Sequence, residues 1–488
     1  MTNPIWIGRR MRTRSMERAM PTPGYWFVAG IVVLTLQIAA TAPSLQAIKV
    51  SDNGHYFVKA DGTPFFWLGD TAWTIFSHPK PDEVDAYLDD RAAKGFTVIQ
   101  GCMVVWDALR RPNPDGQLPW VDRDPSQINQ AFFTNADAII DKVEARGLYM
   151  AVLPYWTKGT KLNSGRPSAD PAKMAGYCKF LGKRYAHKNI FWVLGGDSPA
   201  TDIQPLVDAE AAGLIAGAKE AGVDRIMITY HPTGRQSSSF WLQQRSWLDF
   251  DSIQSGHFIN TTNFQLVGDD YAKTPIKPTL DMEPGYENIT DRLVRDGGPD
   301  TRRIEAVDVR RSAYLAVFAG AAGHTYGNGE VYEFWSPGNG TMPGWAAQLP
   351  WRQSLKLPAS SQVQYVRYLI ESRPALERMP DQSLIVGDAG MRAVERFAAM
   401  RGADGSYAFV YLPAGKQSVT VQTSKLSGTT LTAWWYNPRT GAATKLDDSP
   451  KTATRQFTIP AGDGDSNNAD WVLMLDDAAR NYPAPGKH

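Results

Sequence analysis

Short apolar runs alternate with segments of helical period from Ile48 to Tyr326. The opening stretch, IKVSDNGHYFVKADGTPFFWLGDTAW, turns at Asn53-Gly54 and Asp61-Gly62. It predicts a small hairpin cap leading into a buried strand, Phe65–Gly69, with Asp70 at its end. Pro81–Lys94 then places Val84, Tyr87, Leu88 and Ala92 on one face and stops at Gly95, as an amphipathic helix does. Further strands are predicted at Phe96–Gly101, Leu148–Pro154, Ile190–Leu194, Arg225–Tyr230, Phe250–Gln254, within Lys277–Tyr286, and at Ala322–Tyr326. Between them lie helices at Asn129–Arg146, Asp170–Tyr185, Gln204–Ala221 and Arg303–Ala319, and a serine-rich helix or loop at Ser237–Trp247. Strands reached through mostly helical connections imply parallel pairing with right-handed crossovers. Eight such units over about 280 residues predict a (β/α)8 barrel. A doubly wound sheet is the alternative, but it calls for a glycine-rich phosphate loop after the first strand, and FFWLGDTAW has none.

Beyond a helix at Gln362–Leu369 and a break at Pro374 the period changes. Short β-type runs separated by turns (SLIVGD, AVERFAAM, SYAFVYLP, SVTVQT, LTAWWYN, RQFTIP, WVLMLD) predict an antiparallel sandwich. The chain thus divides into residues 1–47, a barrel over 48–375, a β-sandwich over 376–478 and a tail, 479–488. An arginine-rich start, the apolar stretch Tyr25–Ala42 and the small residues Ala40, Ala42 and Ala47 make the first segment an export signal. Left uncleaved, it is long enough for a marginal membrane anchor, the only membrane contact expected. Either way the body is expected outside the cytoplasm, periplasmic or extracellular.

Charge narrows the partners. The whole chain carries +1, and without the five arginines and one glutamate before Ile48 the balance is 46 − 49 = −3. A nearly neutral body argues against nucleic acid as a partner. Cys102 and Cys178 are too few for a metal cluster and fall on separate elements, so two free thiols are expected.

In a barrel the active face lies at the C-terminal strand ends. The residues predicted there are Asp70 and Trp73, Gln100, Trp106 on the following loop, Tyr155 and Trp156, Asp197, His231, Gln254 and His257, Asp281, Glu283 and Tyr286, and His324 and Tyr326. Carboxylates, amides and imidazoles hydrogen-bond sugar hydroxyls, and aromatic faces stack on sugar C–H surfaces, so the implied partner is a carbohydrate. The runs IFWVLGGD and KPTLDMEPGY each end an apolar strand on a carboxylate. Two carboxylates across a glycosidic bond suffice for hydrolysis, one as proton donor and one as nucleophile or base. By analogy with retaining barrel glycosidases, Asp197 after the fourth strand is the acid/base and Glu283 after the seventh the nucleophile. Strand alternation would let Asp281 and Glu283 point the same way.

The strings FFWLGDTAW, LDDRAAKGFTVIQ, YWTKG, FWVLGGD, TYHPTGRQSSSFW, LDFDSIQSGH, KPTLDMEPGYEN and VFAGAAGHTYG resemble glycoside hydrolase family 140 over about Ile48–Leu369. Those are bacterial barrel enzymes with β-apiosidase activity on the pectic polysaccharide rhamnogalacturonan II. The resemblance implies that Asp197 and Glu283 are the catalytic pair and that no cofactor is needed. The C-terminal part resembles a module named for collagen binding, from which no collagen binding is inferred. An Asn-Glu pair ends the fourth strand across the wider retaining group, whereas Gly196-Asp197 stands here.

Plainer readings exist for the same residues. Asp197 before Ser198-Pro199 fits a helix N-cap, and Glu283 fits a salt-bridged loop acid. Asp281 and Glu287 fit as residues that orient the site. His231, His257 and His324 lack the spacing of a metal-binding helix motif, so they are expected to hydrogen-bond substrate or carboxylate and no metal is assigned. The rivals to an apiosidase-like enzyme are another furanosidase, such as an arabinofuranosidase or galactofuranosidase, a non-catalytic carbohydrate- or matrix-binding protein, and a metal-dependent hydrolase.

Overall fold

A computed structural model describes residues 45–162, 164–292, 302–339, 347–460 and 468–486. The export-signal reading, up to residue 44, lies outside them. Among the described residues no helix is long and apolar enough to cross a membrane.

Eight parallel strands form the body: β1 (Trp67–Thr71), β2 (Val98–Val104), β3 (Tyr149–Tyr155), β4 (Ile190–Gly195), β5 (Met227–His231), β6 (Asp251–Gln254), β7 (Thr279–Asp281) and β8 (Gly323–Tyr326). Their order in the sheet is β5-β4-β3-β2-β1-β8-β7-β6. β5 and β6, at the two ends of that order, meet where Asp249 N donates to Ile228 O at 2.8 Å and Thr229 Oγ1 to Phe250 O at 2.6 Å. These bonds close the sheet into a barrel. Helices α1 (Pro81–Ala93), α2 (Gln130–Glu144), α3 (Pro171–Arg184), α4 (Gln204–Glu220), α5 (Asn263–Tyr271) and α6 (Ala306–Phe318) connect the strands.

Local sequence explains these elements. α1 starts on Pro81, its first turn is closed by Lys80 N donating to Glu83 at 2.9 Å, and it buries Val84, Tyr87, Leu88 and Arg91. α3 is capped by Asp170, which accepts from Ala172 N at 2.8 Å. The hairpin Ile48–Val50/Phe57–Lys59 plugs the barrel floor with Phe57, set edge-on to Phe250 at 5.3 Å. Trp67 and Phe191, 4.9 Å apart, fill the floor beside it. The Ser237–Trp247 segment holds a one-turn helix, Ser239–Leu242, and loop, entered from a two-residue strand, Gln236–Ser237. α5 was not anticipated, because Gln265, Gly268, Asp269 and Asp270 dilute its apolar face.

The C-terminal part is an antiparallel sheet of Arg378–Pro380, Ala398–Gly402, Tyr407–Leu412, Trp471–Asp477, Thr430–Tyr436 and Ala443–Lys445, facing the two-stranded sheet Ser418–Val421/Arg455–Thr458. Alternation divides its sides. Ala408, Val410 and Leu412 fill the sandwich core with Val421, Trp435 and Phe457. Tyr407, Phe409 and Tyr411 face the barrel and join its core. There Tyr411 stacks on Tyr314 of α6 at 5.2 Å, and Arg310 pairs with Asp470 at 2.7 Å, both buried. Cys102 and Cys178 are buried and unpaired.

Candidate active site

At the C-terminal strand ends a pocket of about 530 Å³ opens. Eight of the residues expected there line it: Trp73, Trp106, Trp156, Asp197, Gln254, His257, Glu283 and Tyr286.

Glu283 stands two residues beyond β7 and is 6% exposed. Its carboxylate is clamped between two imidazoles, with His231 Nε2 at 3.0 Å from Oε2 and His257 Nε2 at 3.3 Å from Oε1. His231 Nδ1 accepts from the backbone N–H of Asp197 at 3.3 Å, which leaves Nε2 facing Glu283. His257 Nδ1 lies 3.1 Å from Pro284 O, a group that only accepts, so that nitrogen donates. Burial pushes the Glu283 carboxyl up, but the facing imidazoles of His231 and His257 outweigh it and hold the group well below the usual range. The carboxylate is ionised at neutral pH.

Around it stands an aromatic wall. Trp73 packs edge-on to Trp156 at 5.0 Å and to His231 at 5.3 Å, and its Nε1 donates to Tyr286 OH at 3.0 Å. Tyr286 packs on His257 at 4.5 Å. Trp106, 41% exposed and 5.3 Å from Trp156, extends the wall to the rim.

Asp197 reaches the pocket through a tight turn after β4. Gly195 and Gly196 have φ of +86° and +115°, and a Cβ on Gly195 would come within 2.6 Å of Tyr230. Only glycine fits this close approach. Asp197 itself sits at φ +53°, an uncommon conformation for a side-chain-bearing residue. Its carboxylate contacts the Lys158 ammonium and lies 3.4 Å from Thr233 Oγ1.

Six expected residues lie elsewhere. Asp70 is buried beneath α1, accepting from Tyr87 OH at 2.5 Å and Arg91 Nε at 2.6 Å. Tyr326 pairs in register with Asp70 and donates to Glu287 at 2.6 Å. His324 pairs in register with Leu68 and Asp281, on the same outward side. Asp281 accepts from Ser255 Oγ at 2.8 Å and Asn263 Nδ2 at 3.1 Å, and burial raises it to about 6. It therefore does not share Glu283's direction. Instead it pins Ser255, two residues before His257. Gln100 donates to Met282 O at 3.1 Å, supporting the backbone next to Glu283. Tyr155 donates to Ser168 at 3.1 Å. His231 is buried behind Glu283 without lining the pocket. Conversely, Lys158, Thr233, Gly234, Arg292, Tyr332 and Glu333 line the pocket and were not singled out from sequence. All but Arg292 are loop residues, where no apolar period marks direction. Among the described residues no three His, Cys, Asp or Glu side chains are grouped to hold a metal ion.

Residues 51–377 match the family described as "Apiosidase-like, catalytic domain". The chain belongs to the apiosidase-like family. Residues 379–476 of this apiosidase-like chain match "Putative collagen-binding domain of a collagenase". Two solved structures described as glycoside hydrolases each share 31% identity with it over 90% of its length. One, assigned to family 5 and from Bacteroides vulgatus ATCC 8482, is covered over 94% at a TM-score of 0.79; the other is covered over 98% at 0.80. A third structure from the same organism shares the fold at 18% identity and TM-score 0.64, over 88% of this chain and 82% of its own. No curated protein matches the chain. Family and fold make the apiosidase-like chain a glycosidase acting on carbohydrate.

Proposed function

We propose that the protein is an exported, retaining, apiosidase-like glycoside hydrolase in which Glu283 attacks the anomeric carbon and Asp197 moves the proton. The observation that carries this reading is the Glu283 clamp: a buried carboxylate kept ionised by His231 and His257 at the bottom of an aromatic pocket. A nucleophile needs the ionised form. Asp197 lines the same pocket. In the first step Glu283 forms a bond to the anomeric carbon, the glycosidic C–O bond breaks, and the leaving oxygen takes a proton from Asp197. In the second step Asp197 takes a proton from water, which attacks the anomeric carbon and frees Glu283. Lys158 must leave its contact with Asp197 before the first proton can move. Its side chain is 64% exposed, so a glycan entering from solvent can displace it. Trp73, Trp156 and Tyr286 supply faces for the sugar ring. Apiose is the sugar that family membership favours, and the Tyr25–Ala42 segment supports export.

The test is sugar release by residues 48–488 from plant and bacterial polysaccharides, rhamnogalacturonan II among them. A single monosaccharide should appear, and Asp197→Ala and Glu283→Ala should each cut its release by at least ~10³-fold. Release that survives both changes would place the chemistry on other residues.

A further inference from the structure

The chemistry above uses two carboxylates, but among the described residues the pocket holds three: Asp197, Glu283 and Glu333. Glu333 follows Tyr332, whose ring packs on Tyr286 at 5.6 Å and on Trp106 at 6.4 Å. That places it on the side of the pocket marked by the exposed Trp106.

The backbone that presents Glu333 is pinned on every side. Its carbonyl accepts from His78 Nδ1 at 3.1 Å, and His78 Nε2 lies 3.1 Å from Asp107, so the loop after β2 holds it from one side. Asn328 Oδ1 accepts from Glu330 N at 3.0 Å and Val331 N at 3.1 Å. The Glu330 carboxylate accepts from Asn288 Nδ2 at 2.7 Å, Gln348 N at 3.0 Å and Ser354 Oγ at 3.0 Å. The next residue, Phe334, is forced to φ +54°, with its buried ring between Tyr87 and Trp351, each 5.2 Å away. A bulky residue keeps that conformation only when its surroundings impose it. Asp197 reaches the same pocket from a backbone of the same kind.

We propose that Glu333 is a specificity-determining residue, hydrogen-bonding a hydroxyl of the bound glycan beside Trp106. This rests on the glycosidase reading. Burial pushes the Glu333 carboxyl up while Tyr332 and His78 pull against it. A carboxyl oxygen accepts from a sugar hydroxyl, a contact that needs only the position of Glu333 in the pocket.

The experiment measures binding of rhamnogalacturonan II to the full chain carrying Glu283→Gln, by calorimetry, with Glu333→Ala and Glu333→Gln added in turn. Glu333→Ala should weaken binding about 10-fold, and Glu333→Gln, which keeps a donor and an acceptor, should stay within about 3-fold. With Glu283 intact, Glu333→Ala should raise KM on the polysaccharide while kcat holds within about 3-fold. Unchanged binding in Glu333→Ala overturns the proposal. So does a fall in kcat of about 10³-fold at constant KM, which would make Glu333 part of the chemistry. Equal loss in Glu333→Ala and Glu333→Gln, with a lowered Tm in both, would mean a structural role. If Glu283→Gln alone binds nothing and the unmodified chain releases nothing, the glycosidase substrate reading fails first; sugar release with no Glu333 effect sinks this proposal alone.

Discussion

Glu283 shows how single side chains set the chemistry. Burial alone would raise its pKa, and two imidazoles reverse the sign. The clamp has a testable pH signature. Because the folded-state value is depressed, Glu283 is ionised across the acid range, and the stability it lends is present above its unfolded value and lost only as pH falls well below that. Replacing His257 or His231 by Gln leaves burial opposed by one partner only, so the acid limb of kcat/KM must move to higher pH. A pH–rate series on both variants checks this; unmoved limbs would mean that another group sets the limb. At this scale the sequence was legible in part. It gave the identity of the strand-end acids and imidazoles but not their direction. Asp70, Asp281, His324 and Tyr326 sit on strand positions whose side chains turn outward, and register ties them together. Period-2 alternation says that neighbours differ, not which of them faces the pocket. It also stops at the strand end: β7 finishes at Asp281, so Glu283 is set by the loop.

Among the elements, α4 carries a buried acid that the reaction does not use. Glu210 is fully buried, and desolvation raises it to about 8. The folded state keeps a proton that the unfolded chain releases near pH ~4.3, so stability from this group falls as pH rises toward about 8, by up to ~1.4 kcal/mol per unit. Glu210→Gln should flatten the decline of Tm between pH 5 and 8 relative to the unmodified chain. Thermal melts across that range test it; parallel curves would contradict it. Asp251 and Asp281 slope the same way and remain in both proteins. Barrel strands such as Tyr149–Tyr155 and Ile190–Gly195 were legible as apolar runs, whereas Asp251–Gln254 and Gly323–Tyr326 carry polar residues and followed from the alternation of strands and helices. α5 was not legible, since Gln265, Gly268, Asp269 and Asp270 break its apolar stripe and Thr262 makes no capping bond.

Across the whole molecule, barrel and sandwich share a core. Arg310–Asp470 and Arg373–Asp476 are buried ion pairs that tie the C-terminal sheet to α6 and to the segment after the barrel. Removing one partner leaves an uncompensated buried charge, which typically costs ~3–5 kcal/mol. Arg310→Ala should therefore lower stability by about that much, and calorimetry should show the unmodified protein unfolding in one transition. Two separated transitions would mean that the shared core does not couple the parts. The alternation of Tyr407–Leu412 was visible as a strand, but both of its faces are apolar. Sequence therefore could not show that one face covers α6.

The catalytic pair is tested most directly by azide rescue, using an aryl glycoside of the sugar that the unmodified protein releases. Azide should restore turnover to Glu283→Gly and give a glycosyl azide of inverted configuration. In Asp197→Gly it should intercept the glycosyl-enzyme and give the retained azide. No rescue of Glu283→Gly, or a retained azide from it, would contradict Glu283 as the nucleophile.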